Sequence, residues 1–287
     1  PAAVERLTAP VPARADDIEL TGVGGAERRW AMSVVPLEEG AAFARLVDRS
    51  EVHAAERMRT DFVANASHEL RTPLATILGY AETLREEKAA IDPATRERFV
   101  AVVHDESRRM QRLVEDLISL SRIEGERFNA PREAVSLPPL LEEARAIGRR
   151  FAAERGCEIR IESEPGLPPV AGDHDQLLQL IDNLVTNALR YGGRDAPVTL
   201  SARRDGDMVR LTVADRGEGI APEHIPRLTE RFYRIDPGRS RALGGTGLGL
   251  SIVKHIVERH GGRLSVESEI GRGTRVHVAL PVAPEPS

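Results

Sequence analysis

The stretch Phe62-Val-Ala-Asn-Ala-Ser-His-Glu-Leu-Arg-Thr-Pro-Leu74 sets a histidine, a glutamate and a threonine within about two helical turns. Residues three and four apart share a helix face, so His68 stacks on Thr72 and Glu69 neighbours Thr72. Packing alone has no need of such a set. Pro73 cannot donate a backbone bond to the Glu69 carbonyl four residues back, so the helix is expected to bend beneath the histidine. The pattern is that of an imidazole presented for chemistry.

Three further groups lie downstream. Asn183 and Asn187 fall four apart in Leu-Ile-Asp-Asn-Leu-Val-Thr-Asn-Ala-Leu-Arg-Tyr. Asn is an indifferent helix former, so two on one face among leucines ask for a reason. Amide oxygens suit a hard cation such as Mg²⁺, which also takes phosphate oxygens. Arg190 supplies charge for phosphates and Tyr191 a flat face for a base. A pair of amides bonded to nearby backbone explains the same pattern equally well. Asp215-Arg-Gly-Glu-Gly219 directly follows a strand-like run. Its carboxylate could accept the exocyclic amine of adenine, and Gly217 and Gly219 allow close approach to the backbone. An ordinary acidic turn has the same composition. Gly245, Gly247 and Gly249 open an apolar helix, where amides and the positive dipole end bind phosphate. There is no Gly-Lys-Ser/Thr and no strand immediately before these glycines, so neither a Walker loop nor a dinucleotide fingerprint fits. The arginine-rich segment 229–243 reads as a lid over a nucleotide.

These groups need elements to hold them. Val63, Ala66, Leu70, Leu74, Ile77, Ala81 and Leu84 make the apolar stripe of a packed helix. Ile91-Asp-Pro93 stops it and caps a second helix, striped by Phe99, Val103, Met110, Leu113, Leu117 and Leu120. One antiparallel hairpin cannot bury its own stripe, so two copies are expected to form a four-helix bundle, a homodimer through residues 51–123. Only His68, Glu69 and Thr72 fall outside the stripe. Upstream, short strand-like runs at 18–22, 29–36 and 42–47 precede the first helix. Residues 125–133 read as a linker. Beyond it come helices at 138–154, 173–191 and 248–260, with strands at 157–163, 198–204, 208–214, 263–269 and 274–280. Asp205-Gly-Asp207 reads as a hairpin turn. Helices and a mixed sheet without a repeated strand–helix–strand series make an α/β sandwich rather than a doubly wound fold.

The bulk numbers exclude several classes. A length of 287 residues allows two domains. A net charge of −5 offers no electrostatic case for nucleic-acid binding. The single cysteine, Cys157, excludes an internal disulfide framework and suits a reducing cytoplasm. No apolar run approaches the roughly 18 residues of a membrane helix, and no signal peptide is visible. The chain opens on Pro1 rather than Met, so a fragment is expected, cytoplasmic in location. Any inner-membrane anchor would lie in a segment absent from it.

Taken together, the order and spacing of these groups resemble the catalytic core of a two-component sensor histidine kinase. His-Glu-Leu-Arg-Thr-Pro, Asn-Leu-Val-Thr-Asn-Ala, Asp-Arg-Gly-Glu-Gly, Arg-Phe-Tyr-Arg and Gly-Thr-Gly-Leu-Gly-Leu follow one another in the family's order. The likeness covers about residues 51–282. Glu-Arg-Met-Arg-Thr-Asp-Phe-Val-Ala-Asn-Ala-Ser-His resembles in particular the phosphate-regulon sensor kinases of proteobacteria. Residues 1–50 resemble the last strands of a PAS sensor domain, with Asp48-Arg-Ser50 at the passage into a signalling helix. A small β element unrelated to sensing fits them as well.

The resemblance implies a phosphotransfer hairpin at 51–124, a linker at 125–133, an ATPase domain at 134–282 of the fold shared with gyrase, and a tail at 283–287. It implies ATP held with the adenine amine on Asp215 and the base beside Tyr191. Mg²⁺ falls on Asn187, supported by Asn183, while Arg190, Gly245, Gly247 and Gly249 face the phosphates and Phe232 packs the lid. His68 then takes the γ-phosphoryl group, with Glu69 as general base or orienter, and passes it to an aspartate on a response regulator receiver domain. Thr72 matches the position that orients a water to dephosphorylate the regulator. A scaffold that binds no ATP productively, an ATP-driven clamp of the gyrase or chaperone type, and a serine kinase on the same fold are the rival classes. The intact His68, Asn187, Asp215 and glycines argue against the first, the His-Glu-x-x-Thr-Pro on a dimeric helix against the second, and the helical hairpin against the third.

Overall fold

The computed structural model describes residues 18–22, 25–36, 42–86, 91–126 and 129–284. The ends 1–17 and 285–287, and the expected turns at 38–40 and 86–91 apart from Glu86 and Ile91, lie outside the described residues. The chain divides into two compact units, one ending at Arg71 and the other beginning at Thr72.

In the first unit, β1 (Ile18–Gly22), β2 (Gly25–Pro36) and β3 (Ala42–Asp48) form an antiparallel meander in the order β1-β2-β3. Among the described residues, Ala31, Met32 and Val34 of the central strand are buried. The passage into helix α1 (Ser50–Glu86) is held locally. The Asp48 carboxylate accepts the Ser50 N–H at 2.9 Å, and Ser50 Oγ accepts the Arg29 N–H at 2.9 Å. Asp48 therefore caps the first turn while Ser50 ties it to β2. The helix then runs 37 residues, with Pro73 inside it.

In the second unit, the end of α1 and helix α2 (Pro93–Gly125) make the expected hairpin. Asp92 caps α2 by accepting the Thr95 N–H at 3.0 Å, and Pro93 fills the first helical position. Tyr80 of α1 meets Phe99 of α2, ring centroids 4.8 Å apart. Leu113, Leu120 and Ile123 are buried on α2, whereas Val100, Val114 and Ile118 stay exposed.

The rest of this unit is a two-layer α/β sandwich. A five-stranded sheet runs β5 (Ile159–Ser163), β7 (Val198–Asp205), β8 (Met208–Ala214), β10 (Gly273–Pro281), β9 (Arg263–Glu269). Only the β5–β7 pair is parallel. Val198, Leu200, Val209, Leu211, Val213, Val278 and Leu280 alternate onto one buried face. Helices α3 (Leu137–Glu154), α4 (His174–Tyr191) and α6 (Gly249–Arg259) cover it, and α2 packs against α6. The hairpin turn falls at Gly206-Asp207, with Asp205 paired to Met208.

Three readings shift by a residue or two, as helix and strand ends commonly do. Asp173, Leu248 and His260 are caps rather than helical residues. The first strand of the sandwich starts at Ile159 because the Cys157 N–H is still bonded to the Ala152 carbonyl, closing α3. Glu133, read as linker, instead begins β4 (Glu133–Val135), which pairs with β6 (Val170–Gly172) in a small second sheet. Leu180 is completely buried at the centre of α4. Leu180→Ala should lower stability by about 2–5 kcal/mol in urea unfolding, and a loss below about 1 kcal/mol would show that this helix does not anchor the core.

Candidate functional site

Helix α4 has two faces. Leu177, Leu180, Ile181, Leu184, Val185 and Leu189 are buried against the sheet and its helices. The opposite face carries Asn183, Asn187, Arg190 and Tyr191 into a cleft of about 580 Å³, a volume suited to a ligand the size of a nucleotide. The remaining walls come from the end of β8, the 229–243 segment, the glycine loop at 244–249 and one side of α2.

At one end of the cleft lies Asp215. Its Oδ1 accepts the Gly217 N–H at 2.8 Å, and its own N–H donates to the Thr274 carbonyl at 2.9 Å. Burial pushes the Asp215 carboxyl above its ordinary range, and backbone bonds from Gly217 and Thr274 pull it partly back. The glycines at 217 and 219 have a structural reason of their own. A side chain at Gly217 would collide with the Tyr191 carbonyl, and one at Gly219 with the Glu269 carbonyl. Gly219 also adopts φ 72°, which only glycine takes cheaply. Gly219 lines the cleft, whereas Gly217 supports it from behind.

At the other end, the amides of α4 meet the glycine loop. A Cβ built at Gly249 would stand 2.9 Å from Asn183 Oδ1 and 3.7 Å from Asn187 Nδ2. Asn183 Nδ2 donates to the Gln179 carbonyl at 3.0 Å, so this amide is partly spent on its own helix. Asn187 makes no such bond among the described residues. No group of three His, Cys, Asp or Glu side chains able to hold a metal exists among the described residues. A cation here would therefore depend on an amide oxygen and on phosphate oxygens brought by a ligand, which is how Mg²⁺ is commonly held. Arg190 Nε is buried with no acceptor among the described residues, and burial lowers the basicity of its guanidinium.

The 229–243 segment lies along the cleft and is tied at several points. It contains the short helix α5 (Pro237–Ala242), which sequence periodicity did not announce. Tyr191 Oη and Ser240 Oγ share a hydrogen bond of 2.9 Å. Arg234 Nη2 donates to the Thr246 carbonyl at 2.6 Å. The Phe232 N–H donates to the Gly247 carbonyl at 2.8 Å, with Phe232 at φ 63°. Phe232 thus holds the lid to the loop through its backbone and does not line the cleft. Among the lining residues that escaped the sequence reading are Arg112 and Asp116 of α2. They flank the stripe of Leu113 and Leu117 and carried no local signal beyond a polar helix face.

On α1, His68 and Thr72 are exposed and Glu69 is half-buried, one helical turn spanning all three.

Residues 58–126 match the family described as the His Kinase A (phospho-acceptor) domain, and residues 172–284 the histidine kinase-, DNA gyrase B- and HSP90-like ATPases. The phosphate regulon sensor protein PhoR of Pseudomonas aeruginosa is 39% identical over 227 residues, covering 79% of this chain and 51% of PhoR. The chain therefore spans about half the length of this curated relative. Full-length ShkA, solved with AMPPNP, aligns with a TM-score of 0.58 at 30% identity over 79% of this chain and 47% of its own. ThkA, solved with the response regulator protein TrrA, aligns with a TM-score of 0.61 over 95% of this chain and 80% of its own; at 20% identity that likeness is one of fold. No described helix is long and apolar enough to cross a membrane.

The buried carboxyl at position 215 has a measurable consequence. Because its folded-state pKa is raised, the protein should lose stability relative to Asp215→Asn as pH rises through the carboxylate range above about 4. Below that range the two should unfold alike, and at neutral pH the Asn variant should have the higher urea midpoint. Equal midpoints from pH 3 to 8, or a less stable variant at pH 7, would contradict it.

Proposed function

This chain belongs to the two-component sensor histidine kinases, and from that premise we propose that it phosphorylates His68 from Mg-ATP and hands the phosphoryl group to a receiver-domain aspartate. One observation carries the reading: a nucleotide-sized cleft with Asp215, Asn187 and the glycine loop on its walls shares a chain with an exposed histidine inside a matched phospho-acceptor segment.

Each residue has a physical task in this reading. Asp215 accepts the adenine amine, and Tyr191 covers one face of the base. Arg190 and the loop amides around Gly245, Gly247 and Gly249 neutralise phosphate charge at the start of α6. Mg²⁺ would be held by the Asn187 amide oxygen with phosphate oxygens, Asn183 supporting, and it would supply further neutralisation. Phosphoryl transfer asks the protein mainly for positioning and charge compensation. A lone pair on one His68 ring nitrogen forms the bond to the γ-phosphorus as the bond to the β–γ bridging oxygen breaks, leaving ADP. The second ring nitrogen sheds its proton toward Glu69, which also fixes the ring's orientation.

The receiver aspartate then attacks the phosphohistidine, and N–P cleavage returns the imidazole. In this reading Thr72, one turn beyond His68, orients a water toward the phosphorylated regulator, and the protein is bifunctional. The exposed Val100, Val114 and Ile118 of α2 support a homodimer through residues 51–123, since a second hairpin would cover them. The β1–β3 meander is read as the end of a PAS-like sensor whose output enters α1 at Ser50.

His68→Ala should bind ATP normally yet take no label from γ-labelled ATP; label retained on that variant would sink the assignment. Thr72→Ala should keep autophosphorylation and slow regulator dephosphorylation. If regulator phosphate is lost at the wild-type rate, the water-orienting role belongs to another residue.

A further inference from the structure

Helix α2 belongs to the hairpin, yet it reaches the nucleotide cleft with Arg112 and Asp116, one turn apart. Asp116 Oδ2 accepts the Thr246 hydroxyl at 2.7 Å. Thr246 is buried in the glycine loop, and its Oγ1 also accepts the Leu248 N–H at 3.3 Å, immediately before α6 begins. A carboxylate thus stands at the loop and helix N-terminus, where an anion is favoured. Arg112 lies over the same loop: a Cβ built at Gly244 would be 3.1 Å from its Nη2. It is close enough to Arg190 for the two guanidinium groups to repel. Asp116 is half-buried, and burial pushes its carboxyl up while the Thr246 bond, Arg190 and Arg112 hold it down.

Two guanidinium groups gathered in one cleft, one of them with a buried Nε that finds no acceptor among the described residues, are poorly compensated by the partly desolvated carboxylates of Asp116 and Asp182. A polyphosphate would match them better, and it cannot share the loop with Asp116. We propose that the second hairpin helix completes the phosphate end of the nucleotide site: Arg112 joins Arg190 as a ligand of the terminal phosphates, and Asp116 is the anion they displace from Thr246. The inference deepens the ATP-site reading and rests on it. It gives the hairpin a direct part in sensing whether a triphosphate is present.

The test measures affinity of the full chain, Arg112→Ala and Asp116→Asn for adenosine, ADP and ATP with Mg²⁺, by calorimetry. The two substitutions should act in opposite directions. Arg112→Ala should weaken ATP roughly tenfold or more, the usual loss for a charged hydrogen bond. Asp116→Asn, which keeps an acceptor for Thr246, should tighten ATP by about threefold or more by removing like charge. Both effects should shrink through ADP and vanish for adenosine, an ordering that mere structural damage would not produce. Thermal unfolding of each variant checks that it is folded. A wild type that binds ATP while either substitution has no effect, or shifts ATP and adenosine equally, overturns the proposal and leaves the ATP site standing. A wild type that binds neither ligand overturns both.

Discussion

Everything in the second unit depends on helix α4 serving two environments at once. Its Leu177, Leu180, Ile181, Leu184 and Leu189 face is buried under the sandwich, and that burial is what fixes its rotation. Once rotation is fixed, Asn183, Asn187 and Arg190 have only one direction to take. Asn in a helix interior costs several tenths of a kcal/mol relative to a good former. The apolar face covers that loss many times over, so chemistry can be carried on the same element that carries the core.

The cleft contrasts with that core. Burial raises the carboxyls of Asp215, Asp182 and Asp116 and lowers the guanidinium of Arg190. Four ionisable groups are thus held where their charged forms are disfavoured. None of this helps the fold, and removing a charge should stabilise it. A ligand that supplies an amine for Asp215 and phosphates for the arginines returns the lost solvation as binding energy. Asp116 and Asp182 act on Arg190 while Asp215 stands apart from that set, and perturbed groups of both signs gathered in one cleft mark it as a candidate functional site.

The elements were legible wherever periodicity ran long enough. The hairpin helices, α4, the β7–β8 turn and the β9–β10 pair follow from apolar spacing and from Asp92, Gly206 and the glycines near 271–273. Strands β4 and β6 have three residues each, too short for alternation to register. The order β5-β7-β8-β10-β9 was also hidden, because it needs β10 inserted between β8 and β9. In the site, Asp215, the two asparagines and the glycine loop were readable since each breaks a local rule. Gly217 and Phe232 break rules too, but for backbone packing behind the cleft. Arg112 and Asp116 break none: on a polar helix face they are ordinary, and only the docking of α2 on α6 gives them meaning.

That docking has a thermodynamic consequence. Several polar ties hold α2 and the adjoining chain to the ATPase layer: Asp116 on Thr246, Ser119 on Gln179, Glu124 with Arg231 and His255, and Glu126 with the buried Arg259. Glu124, Arg231, His255, Glu126 and Arg259 do not line the cleft, whereas Asp116, Thr246 and Gln179 do. If phosphate replaces Asp116 at Thr246, one contact is exchanged while the others resist separation, so the coupling is limited to what that contact is worth. Binding linkage is reciprocal: any motion of α2 that draws Asp116 off the loop raises affinity for triphosphate by the same factor that triphosphate favours the motion. Because α2 holds Thr246 of the glycine loop directly, a shift of that helix reaches the cleft without a separate relay. The size of that response is set at position 116.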